Sequence, residues 1–522
     1  MPRRLGFQPV RVPMPLPFPR AWTSVRLLTT LLLPVGALAL SCEDEAPSPP
    51  PPGEEQTRVT GQRSITRRLE TGDVQARDTT GVIGSLSVLV PTGDTFETRT
   101  VISTGEGTFR FDNVPPEAPY YLKRGSATYV VTVHRQLDLD EYILGREGVV
   151  TVAAGLPVTL SVDGLAPLDA QTGFELVAPN AGAAGRIFLD TAPAPGGTQL
   201  TDEAGLYRSS FGRQEVLDEA RGDRLYLLQT QPSTAGELNY RSITRSLPLT
   251  QTTFQTSGPA TPLSGTFQPV ARQEATVDWR RSSFEAHRAA VHPLAVPLGT
   301  ASVRHTLILA PAPGGVAQGV VGYAGELLSG SILAASQDVT ATVAYGDPYP
   351  ATWGVVANVV HRYQLPLRLR GTTGTVGASL VDQAELQAFT SRPVEARLSP
   401  PTRLQVEGRD AQQEQDLLSR TPLLSWEAPT VGTADVYDVR VFRLYKTPDE
   451  PDFTRTEMVA TLLTAQRQVR IPPGVLQPGE AYAVRIGAMR TPGVDLTRSP
   501  FRLNSLVDYA AAETLTSVLH AP

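Results

Sequence analysis

The apolar residues of this chain come in short alternating runs that glycine and proline interrupt at close intervals. The sequence holds 44 glycines and 46 prolines among 522 residues. In the run DVTATVAY, the residues Val339, Ala341, Val343 and Tyr345 fall on one face, as in a half-buried strand. Long stretches with helical periodicity are nearly missing, and residues 278–293 are the one helix-favouring piece. The pattern therefore predicts an all-β chain.

The length predicts several domains, because a single hydrophobic core stops growing at about 250–300 residues. Shifts in composition indicate where the chain divides. We expect a signal peptide, a lipid anchor with a proline-rich linker, and four serial β-sandwich domains. These segments are 1–41, 42–58, 59–155, 156–277, 278–396 and 397–519.

The N-terminal region has the composition of an export signal. Residues 27–40 are uncharged and apolar, and Arg20 and Arg26 precede them. This run of about 14 residues is too short to span a bilayer, which takes about 20 helical residues. The run ends at Ser41 and Cys42, and Cys42 is the only cysteine of the chain.

The sequence Ala39-Leu40-Ser41-Cys42 resembles the bacterial lipobox. The resemblance implies that Cys42 is acylated, becomes the mature N-terminus and holds the protein on a membrane. The outer membrane is favoured over the inner membrane. Ala39 and Ser41 also suit ordinary signal peptidase, so a secreted protein is the alternative. The acidic, proline-rich residues 43–58 are expected to stay extended as a spacer of roughly 45 Å.

The charge of the mature chain disfavours nucleic acid as a partner. The formal net charge is −6, and residues 1–41 contribute five arginines and no acidic residue. Removing them leaves the mature chain more acidic still. Non-specific nucleic-acid binding needs a basic surface, so the sequence predicts none.

Residues 107–122 alternate apolar and polar side chains and then turn at two prolines, Pro115 and Pro116. They fit the pattern G-x-F-x-F-x-x-V-P … Y-x-L and resemble carboxypeptidase-regulatory-like domains. The resemblance implies a small transthyretin-type sandwich over 59–155. Domains of that family are accessory modules, so it implies no catalytic residues.

Residues 397–519 resemble a fibronectin type III domain. The resemblance assigns strand A to 401–406, strand B to 424–426, strand C to 437–441, the E–F corner with strand F to 476–486, and strand G to the region from Ala511 to Val518. It also implies structural roles for Trp426, Tyr437 and Tyr482. Tyr482 would be the corner tyrosine, whose hydroxyl bonds to backbone upstream.

Few residues suggest chemistry, and each has a structural explanation. Asp138, Asp140 and Glu141 could contribute oxygens to a calcium ion, although the sequence lacks a calcium-binding loop and favours a solvated acidic edge. His287 and His292 are conceivable metal ligands, but a surface helix explains them better.

His305 and His361 lie on strand faces and are predicted to pack structurally. The tripeptide 221–223 reads Arg-Gly-Asp, which also suits a polar turn before a strand. The sequence predicts no metal and no cofactor.

Together these features predict a non-catalytic cell-envelope lipoprotein with a binding, adhesion or envelope-organising role. The whole chain resembles envelope lipoproteins of GC-rich Gram-negative bacteria such as myxobacteria. The expected partner is a protein or a glycan. One alternative is a scaffold subunit of an envelope complex. A less favoured alternative is a hydrolase within 156–395, which would need a pocket with convergent carboxylates or a histidine pair.

Overall fold

A computed structural model describes residues 52–72, 74, 85–210, 212–250, 252–298, 305–316, 325–332, 337–369 and 371–522. The predicted signal peptide and Cys42 lie outside these residues. Strands make up 54% of the structure and helices 7%, which confirms the all-β prediction. Within the described part, no helix is long and apolar enough to cross a membrane.

The first unit is a two-sheet sandwich around its own core. One sheet has the order β5-β6-β1-β9 and the other β4-β3-β7-β8, while β2 pairs in parallel with β10. Val88, Phe109, Phe111 and Tyr120 fill the space between the sheets. The elements are α1 (Pro52–Thr57), β1 (Val59–Gln62), β2 (Ile65–Arg68), β3 (Leu86–Thr92), β4 (Thr95–Arg99), β5 (Ile102–Gly105), β6 (Thr108–Phe111), β7 (Tyr120–Arg124), β8 (Thr128–Thr132), β9 (Gln136–Asp138) and β10 (Glu141–Leu144).

The helix α1 differs from the extended spacer that the sequence suggested for 43–58. For Pro52–Thr57 that expectation is wrong. Proline suits the first helical position because its fixed φ matches the helix. Residues 43–51 lie outside the described part of the chain.

The second unit has a separate core around Leu160, Phe174, Tyr207 and Leu227. Its strands follow the order β19-β12-β15-β14-β13-β17-β18, and β12 and β19 are parallel. The elements are β11 (Thr151–Val152), β12 (Leu156–Asp163), β13 (Gly173–Ala178), β14 (Ala183–Phe188), β15 (Leu200–Ser209), β16 (Gln214–Glu215), β17 (Leu225–Ala235), β18 (Leu238–Leu249), β19 (Thr261–Thr266) and β20 (Gln268–Pro269).

The third unit is dominated by a long antiparallel hairpin, β26–β27. Its two first helices lie inside 278–293, as the sequence predicted. The elements are β21 (Arg272–Trp279), α2 (Arg281–Glu285), α3 (Arg288–Val291), β22 (Val296–Pro297), β23 (His305–Ala312), β24 (Leu328–Ile332), β25 (Val339–Gly346), β26 (Gly354–Leu369), β27 (Thr372–Glu385) and α4 (Leu386–Thr390).

The fourth unit is a sandwich of two sheets, β29-β28-β31-β34 and β33-β32-β35-β36. The predicted strands A, B, C, F and G correspond to β28, β31, β32, β35 and β36. The elements are β28 (Thr402–Val406), β29 (Arg409–Asp410), β30 (Gln415–Asp416), β31 (Leu423–Glu427), β32 (Val436–Thr447), β33 (Glu450–Thr464), β34 (Gln468–Arg470), β35 (Ala481–Arg490), β36 (Tyr509–Leu515) and β37 (Leu519–His520).

The three aromatic residues singled out in this unit are buried. Trp426 and Tyr437 meet edge to face, with ring centroids 5.2 Å apart. The hydroxyl of Tyr482 accepts a hydrogen bond from the backbone N–H of Gln477 at 2.7 Å, five residues upstream. A buried ring with a backbone-bonded hydroxyl is the arrangement of a corner tyrosine.

Strands also pair between the units. β8 of the first unit lies parallel to β33 of the fourth, where the N–H of Thr461 donates to the carbonyl of Ala127 at 2.8 Å. β36 of the fourth unit pairs with β27 of the third, and β24 of the third pairs with β18 of the second. Both edges of the sheet β33-β32-β35-β36 are therefore covered by the chain itself.

Candidate functional site: a polar cleft beside an open strand

The three carboxylates considered for calcium are each engaged by a different partner. Asp138 pairs with Arg502 at 3.0 Å, and Asp140 accepts a hydrogen bond from the hydroxyl of Ser64 at 2.7 Å. Two guanidiniums pair with Glu141: that of Arg63 at 3.1 Å, and that of Arg124. Among the described residues, no group of three metal-ligating side chains comes together. The sequence favoured a solvated acidic edge, and that expectation is wrong because Asp140 and Glu141 are buried. The three carboxylates instead form ion pairs and hydrogen bonds within the protein.

His292 is held in place by its neighbours. Its Nδ1 accepts from the N–H of Leu294 at 3.1 Å, and its Nε2 lies 3.1 Å from the hydroxyl oxygen of Ser517. Burial lowers the pKa values of both His287 and His292. With both ring nitrogens of His292 engaged, the pair does not form a ligand set.

His305 and His361 face each other across β23 and β26, with ring centroids 4.2 Å apart. The indole N–H of Trp279 donates to Nε2 of His361 at 2.9 Å, and the ring of Phe284 stacks on His361. Burial, and then the neighbouring His305 and the nearby guanidiniums, hold the pKa of His361 well below its usual value. His361 is therefore neutral and packed in the core.

Sequence reasoning missed a pair of interacting carboxyl groups whose pKa values are both raised. Burial raises the pKa of Glu175, although Arg186 opposes the shift. Burial, followed by repulsion from Glu175, raises the pKa of Glu326 to about 7. One residue lies on β13 and the other precedes β24, far apart in sequence, so no motif could have indicated the pair. Neither residue lines the two clefts described below.

The Arg-Gly-Asp tripeptide is structural. Both carboxylate oxygens of Asp223 accept hydrogen bonds from Arg146, at 2.8 and 2.7 Å, and the side chain is fully buried. Arg221 donates to the carbonyl of Glu147 at 3.0 Å. A recognition tripeptide would have to present its aspartate to a partner, and this one faces inward.

An open cleft of about 510 Å³ lies between β21 and α4; we call it the β21–α4 cleft. Glu274, Glu385 and Gln387 are exposed there, and their side chains make no hydrogen bond to any described residue. The lining residues include two glutamates and no lysine or arginine. The lining residues are Gln273, Glu274, Ala275, Thr276, Tyr345, Val355, Glu385, Leu386, Gln387 and Thr390.

The backbone of β21 adds a second feature to this cleft. One edge of β21 pairs with β25 in an unbroken antiparallel register. On the opposite edge, the backbone carbonyl of Asp278 accepts a hydrogen bond from the N–H of Val394 at 2.8 Å. The N–H of Arg280 donates to the carbonyl of Val394 at 2.9 Å. Backbone groups alternate between the two edges of a strand, so those of Glu274 and Thr276 face the same side as those of Asp278. They have no backbone partner among the described residues and point toward the cleft.

A second cleft of similar size lies between the first and fourth units. Its polar groups are already engaged with one another. His134 pairs with Asp495 at 2.7 Å, and the N–H of Thr491 donates to Asp435 at 2.6 Å. The β21–α4 cleft differs because the side chains of Glu274, Glu385 and Gln387 make no hydrogen bond within the described part of the chain and so are available to a ligand.

No protein-family model matches the chain, and no curated protein matches it. Among solved structures, the FN1–FN3 domains of chicken CNTN1 align at 9% identity over 83% of this chain and 90% of that one, with a TM-score of 0.12. A Streptococcal ancillary pilin aligns at 10% identity over 61% and 95%, with a TM-score of 0.11. Trypsin-activated alpha-2-macroglobulin from Escherichia coli aligns at 12% identity over 84% and 28%, with a TM-score of 0.12. Scores this low do not establish a shared overall arrangement, so the fold description rests on strand order and pairing.

Proposed function

We propose that this chain is an exported envelope protein, anchored through an acylated Cys42, that binds a partner and catalyses no reaction. The lipobox-like sequence before Cys42 and the carboxypeptidase-regulatory-like pattern at 107–122 support the proposal. The first motif belongs to anchored proteins and the second to accessory modules.

The β21–α4 cleft is the observation that carries the binding role. The other carboxylates considered for binding, Asp138, Asp140, Glu141 and Asp223, are engaged inside the protein. The cleft instead leaves carboxylate, amide and backbone groups open to solvent, on strands that are held by pairing on the other side. Binding residues carried by a rigid scaffold suit recognition, because little entropy is lost when the partner docks.

The scaffold role is the second candidate, and pairing of strands between units favours it. A rigid body whose units are joined by strand pairing can hold other subunits at fixed positions. A partner that stays bound to the Glu274→Lys variant would favour a scaffold surface elsewhere on the molecule. A partner lost from this variant and retained by Glu203→Lys, an exposed control on β15, would support the cleft.

Metabolic labelling with a palmitate analogue tests the anchor. The wild-type protein should be labelled and sediment with membranes, and separation of inner from outer membranes should place it in the outer membrane. The Cys42→Ala variant should be unlabelled and leave the membrane fraction. Unlabelled wild-type protein found free in the medium would refute the anchor and favour secretion.

A further inference from the structure

We propose that the β21–α4 cleft binds an extended peptide with basic side chains, which adds to β21 as a strand. The inference deepens the binding role proposed above and rests on it, but it does not depend on the lipid anchor. Two features of the cleft carry it: the open backbone edge of β21, and a lining that holds two glutamates and no cationic side chain.

The open edge supplies the backbone recognition. Glu274 and Thr276 each present one N–H donor and one carbonyl acceptor toward the cleft, spaced two residues apart as in a strand ladder. The chain itself uses the same edge further along, where Trp279 forms a parallel bridge with Val394. This edge therefore presents unpaired backbone groups at the spacing of a strand ladder, and peptides bind other proteins through such edges by strand addition.

The side chains select what kind of peptide fits. Glu274 points to the solvent face of β21, where a residue on a neighbouring strand would lie within about 4.5–5.5 Å between Cβ atoms. With Glu385 at the helix end and no cationic side chain lining the cleft, that position favours lysine or arginine. Val355 and Leu386 are half-buried and give the inner side an apolar wall. A peptide that alternates basic and apolar residues complements both sides.

A glycan fits this cleft less well. Sugar rings usually stack on an exposed aromatic face, and the one aromatic residue of the lining, Tyr345, is 3% exposed. Its hydroxyl also donates to Gln273 at 2.9 Å, so it is engaged within the protein. The cleft thus offers a strand edge and charge, but no stacking surface.

Fluorescence anisotropy tests the inference on the full mature chain carrying Cys42→Ser. The probe is a fluorescein-labelled nonapeptide that alternates lysine with valine. Two further peptides serve as comparisons. One alternates glutamate with valine, and the other is the lysine–valine peptide methylated on alternate backbone nitrogens. We expect saturable binding of the lysine peptide, at least ~10-fold weaker binding of the glutamate peptide, and loss of binding on N-methylation, because methylation removes the ladder donors.

Two pairs of variants separate the backbone from the charge. Thr276→Pro removes an N–H that faces the cleft and none that pairs with β25, so it should abolish binding while Thr276→Val retains it. Glu274→Gln should weaken binding several-fold and reduce its salt dependence, whereas Glu203→Gln, at an exposed position of β15, should change neither. In the complex, hydrogen exchange at the amides of Glu274 and Thr276 should slow.

Three results would overturn the inference: no saturable binding of the lysine peptide up to about 1 mM, equal binding of the glutamate peptide, or unchanged binding by Thr276→Pro. Binding of a neutral oligosaccharide such as chitotetraose, lost in Glu274→Gln, would also overturn it while leaving the binding role intact. If neither probe binds and the Glu274→Lys variant retains every envelope partner, the inference and the binding role fail together.

Discussion

A buried carboxylate, Glu70, joins three of the four units, and removing one of its hydrogen bonds should destabilise the whole chain. Tyr226 of the second unit donates its hydroxyl to Oε1 of Glu70 at 2.5 Å. The N–H of Glu70 donates to Oδ1 of Asn180 at 2.8 Å, and its carbonyl accepts from the indole N–H of Trp353 in the third unit at 3.0 Å. Glu70 is 3% exposed, so water cannot replace a lost partner.

The substitution Tyr226→Phe isolates the hydroxyl. The ring packs edge to face on Tyr349, with centroids 5.3 Å apart, and phenylalanine can keep that contact. Oε2 of Glu70 has no hydrogen-bond partner among the described residues, so the bond to Tyr226 is the side chain's main compensation for burial. Losing a hydrogen bond to a charged group costs about 1.5–3 kcal/mol, and we expect a loss near 2 kcal/mol here.

Urea unfolding of the mature chain measures this loss through tryptophan fluorescence, because Trp353 touches the junction. The control is Tyr445→Phe, whose hydroxyl makes no hydrogen bond with the described residues and which should change the free energy of unfolding by less than about 0.5 kcal/mol. Glu70→Gln retains an acceptor and should cost less than Tyr226→Phe. Equal stability of Tyr226→Phe and Tyr445→Phe would refute the role given to Glu70.

Three further predictions follow from buried and partly buried groups. Trp426→Ala and Tyr482→Ala should each cost about 3–5 kcal/mol in chemical denaturation, since each leaves a cavity in the fourth unit, and losses under about 1 kcal/mol would contradict their core positions. The pKa of His361 is lowered in the folded state, so below about pH 6.5 the unfolded state binds a proton that the folded state does not. The free energy of unfolding should therefore fall by up to about 1.4 kcal/mol per pH unit as the pH drops below that value. In melting experiments at a series of pH values, His361→Gln should flatten this slope. The pKa of Glu326 is raised to about 7, so this residue stabilises the fold at low pH and loses that contribution between about pH 4.5 and 7. Because the side chain is partly exposed, Glu326→Gln should raise the free energy of unfolding at pH 8 by only about 1–2 kcal/mol. An unchanged free energy would show that the carboxyl group titrates normally.

Sequence patterns succeeded where they record local periodicity. Alternation of apolar residues locates the strands of the fourth unit, and the sequence pattern alone places Trp426 and Tyr482 in its interior, where both are buried. The same reasoning treated Asp140 and Glu141 as solvated, because charged residues are seldom fully buried. Their partners, Ser64 and Arg63, lie more than 70 residues away, and spacing within a sequence gives no sign of such pairing.

The β21–α4 cleft could not be read from the sequence for the same reason. Glu274 and Thr276 appear as the solvent face of an ordinary alternating strand, and α4 begins more than 100 residues later at Leu386. Only the fold shows that the strand edge between them is open. Pairing between units, as at Thr461, is equally invisible, because a strand pattern does not reveal whether its outer edge is covered.

Hydrogen exchange at the amide of Thr461 in the full mature chain tests most directly whether the sandwiches form one strand-paired body. Thr461 lies on β33, and its N–H donates to Ala127 of the first unit rather than to its own sheet. We predict exchange that is orders of magnitude slower than at the exposed turn residue Gly236. Exchange at the same rate as at Gly236 would show that the first and fourth units are not joined by strand pairing. That result would contradict the rigid scaffold on which the proposed binding role rests.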